Sequence, residues 1–213
     1  MAGTEQDETV QFFAYGPSAD PEVVAAITGR EPLAARPAVI EGYKLGVQNI
    51  DDIPDIKVPG LPTTARKIMR ESWKDDVPNF EMYVLREGMG RVRGVVYTIR
   101  KADMPAMEDW ELVPFKWYSI VKGRVTFDDG SKSEVQTIAV KDQNVQREVD
   151  GMYYDLFLGR GEAFKEIFLS HVRANRRQYL ERERSGVGTA GTTPITSEDI
   201  SKSDTDRSKN RLV

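Results

Sequence analysis

The absence of cysteine from this chain of 213 residues excludes disulfides, thiolate nucleophiles and thiolate metal sites. Its 39% of hydrophobic and 30% of charged residues are typical of a soluble globular protein, and a formal net charge of −4 gives no general attraction to nucleic acid or to an anionic membrane. No apolar run is long enough to cross a bilayer, and the acidic N-terminus has no apolar signal segment. We therefore expect a cytoplasmic protein.

The first elements predict a strand, a tight loop and a helix. After a loose leader over residues 1–9, the apolar and aromatic run 11–15 is typical of a strand, and Gly16-Pro17-Ser18 breaks it. Asp20 is a favourable N-cap with Pro21 at the first helical position, and Gly29 marks the helix end.

The middle of the chain predicts strands separated by loops. Residues 39–47 read as a strand, residues 49–62 as a loop rich in Asp and Pro, and residues 63–73 as a helix. Two further strands, 80–86 and 91–99, flank Glu87-Gly88-Met89-Gly90, a segment typical of a hairpin turn.

The second half predicts a short helix, two strands and two helices. Asp103 can cap a helix that runs to Trp110, residues 115–127 and 133–140 read as strands around a turn at 128–131, and residues 146–158 and 162–184 read as helices. Residues 185–213 have few apolar side chains and should be disordered. We predict one α+β domain over residues 10–184, with a mixed, mainly antiparallel sheet or small barrel.

Several kinds of site can be set aside. His171 is the only histidine, and no serine motif accompanies it, so a catalytic triad or a histidine metal cluster is not indicated. Asp51, Asp52 and Asp55 lack the spacing of a calcium loop. We therefore predict no metal site of these kinds.

Two features could carry chemistry. The loop from Tyr15 to Ala19 precedes a helix N-terminus and could offer main-chain N–H groups to a carboxylate or an oxyanion, although the residues alone favour a plain strand-to-helix turn. Glu111 stands among apolar neighbours and could have a raised pKa suited to proton transfer, although most glutamates simply lie on the surface.

The order of these motifs resembles that of the γ-glutamylcyclotransferases. Phe12-Phe13-Ala14-Tyr15-Gly16-Pro17-Ser18 is similar to the loop that opens that family. Further similar segments follow in order: residues 38–45, residues 93–99, the element Met107-Glu108-Asp109-Trp110-Glu111, Tyr118, and the closing helices from Met152 onward.

The resemblance implies a small mixed β-barrel with helices packed outside, and an enzyme that needs no cofactor or metal. Its reaction would release 5-oxoproline and a free amine from a small γ-glutamyl amide, because the substrate's α-amine attacks its own side-chain carbonyl. Glu111 would be the general acid–base. Substrate would be held by the loop and by one tyrosine from the next strand, namely Tyr15, Gly16, Pro17, Ser18, Ala19 and Tyr118.

Three positions depart from the family pattern. The family's Ser-Asn pair is Pro17-Ser18 here, which removes one N–H donor, and the glycine that follows the catalytic glutamate is Leu112. These departures keep one alternative open, a non-catalytic binding module on the same scaffold. The composition of the C-terminal tail suggests another, a role for residues 185–213 in recruiting a partner.

Overall fold

The computed structural model describes residues 8–52, 66–67, 81–115, 118–140 and 145–185. Within these ranges the chain forms six strands, three α-helices and several short 3₁₀ turns. The strands are β1 (Thr9–Ala14), β2 (Ala34–Asn49), β3 (Glu81–Arg100), β4 (Ser119–Phe127), β5 (Lys132–Ala139) and β6 (Arg147–Val149); the helices are α1 (Pro21–Thr28), α2 (Met104–Trp110) and α3 (Gly161–Arg184).

Five of the strands close into a barrel. They follow the order β3-β1-β5-β4-β2, and β2 pairs again with β3 to complete the ring, while β6 extends the far end of β2. Only β1 and β5 run parallel; the other pairings are antiparallel. The predicted α+β class and the small mixed, mainly antiparallel barrel with helices outside it are thus confirmed.

Side chains alternate between the barrel interior and the helix-covered outer face, as the pleat of a strand requires. On β1, Phe13 packs inside with Leu85 and Val125, whereas Phe12 faces outward and joins the cluster beneath the helices. The outer cluster includes Val24 from α1, Met107 from α2 and Leu169 from α3. All three helices therefore pack on one side of the barrel, and they carry the end of α2 toward the end of β1.

Helix α1 forms as its sequence predicts. Asp20 is the N-cap, and its side chain accepts a hydrogen bond of 2.9 Å from the Glu22 N–H. Gly29 ends the helix in the left-handed region at φ +77°, where a side chain would be strained. This short helix fixes the direction in which the chain leaves the loop that follows β1.

The predicted hairpin at Glu87-Gly88-Met89-Gly90 is wrong. Both halves of this segment pair antiparallel with β2, with Glu87 opposite Tyr43 and Arg91 opposite Glu41, so the chain never reverses direction. Three residues of β3 stand opposite the single Gly42 of β2, which makes a bulge and leaves the Met89 side chain 99% exposed. The bulge allows one strand of 20 residues to curve around the barrel.

The predicted helix over residues 146–158 is also wrong. Arg147–Val149 forms β6 on the edge of β2, and tight turns follow it. The side chains of Asp150 and Asp155 accept hydrogen bonds from N–H groups two residues ahead, an alternative to helical pairing. Positive φ angles at Leu158, Gly159 and Gly161 then prevent a helix from starting before α3.

Three smaller predictions are corrected or left outside the described residues. Strand β4 starts at Ser119 rather than at residue 115, because residues 113–115 form a 3₁₀ turn. Asp103 stands at the start of α2 but makes no capping bond; its carboxylate binds the guanidinium of Arg30. Most of the loop 49–62 and of the helix 63–73, together with residues 1–7 and 186–213, lie outside the description.

Candidate functional site

The site begins where α2 ends. Glu111 follows the last helical residue, and its N–H bonds the Met107 carbonyl at 3.0 Å. Leu112 then turns the chain away at φ +55°, a left-handed conformation in which glycine is favoured. In this chain a leucine adopts that conformation, and its side chain packs against the outer core.

A buried ion pair holds this end of α2. Arg182, in the last turn of α3, donates from Nη2 to both carboxylate oxygens of Asp109 at 2.7 and 2.6 Å. Asp109 is only 3% exposed, and burial raises its pKa although the charge of Arg182 opposes the rise. The pair fixes the backbone two residues before Glu111.

The second half of the site is the 3₁₀ turn Gly16–Ala19, which follows β1. Ser18 lies 7% exposed in this turn, and its Oγ donates to Glu111 Oε1 at 3.1 Å. The end of β1 and the end of α2 therefore meet, although 93 residues separate the two side chains along the chain.

Two tyrosines complete the surroundings of Glu111. Tyr15 donates its hydroxyl to the Ile138 carbonyl at 2.9 Å and accepts from the Leu85 N–H at 3.2 Å, while the Tyr118 hydroxyl lies 3.4 Å from Met82 Sδ. Burial raises the pKa of both phenols well above the usual value, and the negative charge of Glu111 adds to the rise. Both hydroxyls therefore stay protonated. The Tyr15 proton is committed to the Ile138 carbonyl, whereas the Tyr118 hydroxyl faces a weak sulfur acceptor and can donate to a substrate instead.

Glu111 has the properties of a proton-transfer group. Burial raises its pKa to about 7, and the hydrogen bond from Ser18 offsets part of that rise. Its residue nevertheless keeps some solvent-accessible surface. A carboxyl group that is half protonated near neutral pH can act as acid or base with similar ease.

The main-chain donors of the turn already have partners within the protein. The Gly16 N–H bonds the Tyr154 hydroxyl at 3.0 Å, and Pro17 has no N–H. The i→i+3 pattern of a 3₁₀ turn directs the N–H groups of Ser18 and Ala19 to carbonyls three residues back. What the turn presents to Glu111 is thus the hydroxyl of Ser18.

The predicted site residues come together in the following way. The Glu111 carboxyl group is surrounded by three of them, Ser18, Tyr15 and Tyr118. Gly16, at φ +59°, shapes the turn, and Ala19 is held through its carbonyl by the Tyr97 hydroxyl at 2.8 Å.

Sequence reasoning missed three residues that support this arrangement: Tyr97, Tyr154 and Arg182. Tyr97 could have been assigned to the helix-covered face of β3 from strand alternation. The partners of Tyr154 and Arg182 are 138 and 73 residues away, and no local pattern identifies them.

Comparisons with known proteins give structural likenesses only. No protein-family model matches the chain, and no curated protein matches it. Among solved structures, one described as a gamma-glutamyl cyclotransferase has a TM-score of 0.48 at 13% identity, covering 92% of this chain and 97% of its own. An Arabidopsis thaliana protein has a TM-score of 0.40 at 20% identity, covering 87% and 86%.

A yeast gamma-glutamyl cyclotransferase described as specific to glutathione has a TM-score of 0.34 at 11% identity, covering 81% of this chain and 97% of its own. Because every one of these TM-scores is below 0.5, the function has to be inferred from the geometry of the site. Among the described residues, no helix is long and apolar enough to cross a membrane, and no group of His, Cys, Asp or Glu side chains could hold a metal ion.

Proposed function

We propose that this protein is a cyclotransferase that releases 5-oxoproline and a free amine from a small γ-glutamyl amide, with Glu111 as general acid–base. The observation that supports the proposal most directly is a partly accessible carboxyl group with a pKa of about 7, joined by a hydroxyl donor from the turn after β1. The sequence pairs the same turn with Glu111, although it points to main-chain N–H groups of the turn rather than to the Ser18 hydroxyl.

The reaction suits a site with so few reactive groups. The α-amine and the amide carbonyl belong to one molecule, so holding them in contact supplies a large part of the rate enhancement. The α-nitrogen bonds the carbonyl carbon, and the bond from that carbon to the leaving nitrogen breaks. Two protons leave the α-ammonium, and the leaving nitrogen takes up two and departs as an ammonium ion.

Glu111 carries these protons in the proposal. Its carboxylate accepts a proton from the α-ammonium, and the resulting carboxylic acid returns it to the departing nitrogen; a second round of the same exchange moves the second proton. Tyr118 donates a hydrogen bond to the substrate in place of Met82 Sδ, and Ser18 keeps its hydrogen bond to Glu111 while its oxygen accepts from the substrate. Tyr15, Gly16, Pro17 and Ala19 form the wall against which the glutamyl group lies. No metal or cofactor enters any step.

A panel of γ-glutamyl amides, followed by mass spectrometry, tests the proposal. We expect at least one amide to yield 5-oxoproline and amine in equal amounts, and Glu111→Gln to lower kcat by at least about 100-fold while the protein stays folded. Glu108→Gln, three residues earlier on α2, is the matched control and should retain activity. Full activity in Glu111→Gln would exclude the assigned role.

The occupied Gly16 N–H favours one alternative, a binding module that has lost catalysis. With that donor bonded to Tyr154 and none on Pro17, the turn can hold a glutamyl group only through side chains. This alternative predicts measurable affinity for γ-glutamyl amides by calorimetry, together with no 5-oxoproline from any of them.

A further inference from the structure

Tyr154 makes several buried contacts around the turn that carries Ser18. Its hydroxyl accepts from the Gly16 N–H at 3.0 Å and donates to the Arg93 carbonyl at 3.1 Å. In return, the Arg93 guanidinium donates to the Tyr154 carbonyl at 2.7 Å and lies 5.6 Å from the centre of its ring. Tyr154 is therefore locked to β3 at both its side chain and its backbone.

The Tyr154 ring also reaches Gly16 through Tyr83. The two rings are 5.0 Å apart in an edge-to-face arrangement, and a Cβ built on Gly16 would lie 3.2 Å from Tyr83 Cδ2. Gly16 is thus held by a hydrogen bond to Tyr154 and bounded by the ring of Tyr83. Since Gly16 has φ +59°, these contacts maintain a conformation that sets the direction of the turn toward Ser18.

We infer that Tyr154 is a positioning residue: by holding the Gly16 N–H, it fixes the turn that keeps the Ser18 hydroxyl on Glu111. This role deepens the proposed function and rests on it for its catalytic meaning. In this role the Gly16 N–H, which could otherwise bind substrate, holds the turn in place through Tyr154. The sequence gives no hint of it, because Tyr154 lies in a segment whose local pattern favours a helix.

The role makes a prediction about how Glu111 titrates. Ser18, in the turn, donates to its carboxylate, and the other titratable groups facing it are the phenols of Tyr15 and Tyr118, which stay neutral. Among the residues that the structure describes, the Ser18 hydrogen bond is the contact that favours the charged form of Glu111, so its loss should raise the Glu111 pKa. Tyr154→Phe should therefore move the Glu111 titration in the same direction as Ser18→Ala, upward by roughly 0.5 to 1 pH unit.

The experiment follows the Glu111 carboxyl carbon by NMR from pH 4 to 9 in five full-length proteins: wild type, Tyr154→Phe, Ser18→Ala, the double variant and Tyr153→Phe. Tyr153 is the matched control, because it is the adjacent tyrosine and is 83% exposed. We expect Glu111 to titrate in Tyr153→Phe as in wild type. In the double variant it should titrate as in Ser18→Ala alone, because Tyr154→Phe and Ser18→Ala remove the same contact, the hydrogen bond from Ser18 to Glu111. With an amide that the wild-type protein turns over, kcat/KM of Tyr154→Phe should be about tenfold lower than that of wild type.

Three outcomes would overturn the inference: Tyr154→Phe titrates as wild type, the two tyrosine variants shift equally, or the shifts of Tyr154→Phe and Ser18→Ala add in the double variant. If Tyr154→Phe does not fold, hydrogen exchange of the wild-type Gly16 amide decides instead; protection supports the bond to Tyr154, and exchange at the rate of a free amide contradicts it. The titration needs no turnover, so an inactive wild type with the expected shifts would reject the proposed function and leave the positioning role intact.

Discussion

At the scale of single residues, the arrangement around Glu111 trades stability for a reactive group. Burial raises the pKa of Glu111 to about 7 in the folded protein, whereas the pKa of an exposed glutamate is about 4.5. Between these two values the folded state binds more protons than the unfolded state, so the free energy of unfolding falls as the pH rises. Ionised Glu111 therefore destabilises the fold by about 3 kcal/mol above pH 7.

Glu111→Gln should consequently be more stable than wild type at neutral and alkaline pH. We expect the difference in unfolding free energy, measured by urea denaturation, to be small near pH 4.5 and to grow to about 3 kcal/mol by pH 8. Glu8→Gln serves as a control of opposite sign, because Lys101 lowers the pKa of this exposed glutamate. A difference for Glu111→Gln that stays constant from pH 5 to pH 8 would contradict the raised pKa.

Gly16 should tolerate no side chain, and Gly130 is the control that separates the effect of its backbone conformation from the effect of its close contact with Tyr83. Gly16→Ala pays the left-handed backbone cost of about 1 to 2 kcal/mol and also brings a methyl group within 3.2 Å of Tyr83. Gly130→Ala pays a similar backbone cost at φ +80°, but nothing lies within 4 Å of its Cβ. Thermal unfolding should show losses in both variants, and only Gly16→Ala should also lower kcat/KM by tenfold or more; equal activity in the two would contradict the role of the turn.

At the scale of elements, α2 is held at both ends by ion pairs that involve buried carboxylates. Arg30 binds Asp103 before its first turn, and Arg182 binds Asp109 in its last turn. These contacts tie α2 to α1 and to α3. The placement of Glu111 thus depends on helices that are far apart in sequence, and a helix as short as α2 could not supply it alone.

Removing the second pair should destabilise the protein in a pH-dependent way. Arg182→Met leaves the Asp109 carboxylate buried without its counter-charge, and we expect a loss of about 2 to 4 kcal/mol at pH 8. The loss should shrink toward pH 4, because Asp109 can then be protonated. Arg173→Met on the same helix removes a pair in which both side chains are about half exposed, Arg173–Glu22 at 3.8 Å, and should change the unfolding free energy by less than about 1 kcal/mol. Equal losses in the two variants would show that burial of the pair is not what matters.

The elements also show where sequence patterns suffice and where they do not. Helix α1 could be predicted within a residue, since its N-cap, first-turn proline and terminal glycine are all local signals. The bulge at Gly88 to Gly90 could not, because its composition is that of a hairpin and only the pairing of both flanks with β2 distinguishes the two. The segment 147–149 has the same difficulty: a strand of three residues owes its conformation to the β2 edge, not to its own sequence.

At the scale of the whole molecule, barrel closure brings the site together. Strand β1 pairs with both β3 and β5, which places the end of β1 beside the C-terminus of α2. There the Ser18 hydroxyl contacts the Glu111 carboxylate. That the turn after β1 and Glu111 belong to one site could be predicted from the sequence, because the order of the motifs resembles that of a known family. The supporting contacts of Tyr97, Tyr154 and Arg182 are tertiary, and a single sequence carries no signal of their partners.

The central claim is that ionised Glu111 performs the proton transfer, and the pH dependence of kcat/KM tests it most directly. With the most active γ-glutamyl amide, we predict that kcat/KM is half-maximal near pH 7, falls tenfold per pH unit below that value as Glu111 becomes protonated, and loses this limb entirely in Glu111→Gln. A wild-type limb centred near pH 4.5, or an unchanged limb in Glu111→Gln, would contradict the claim.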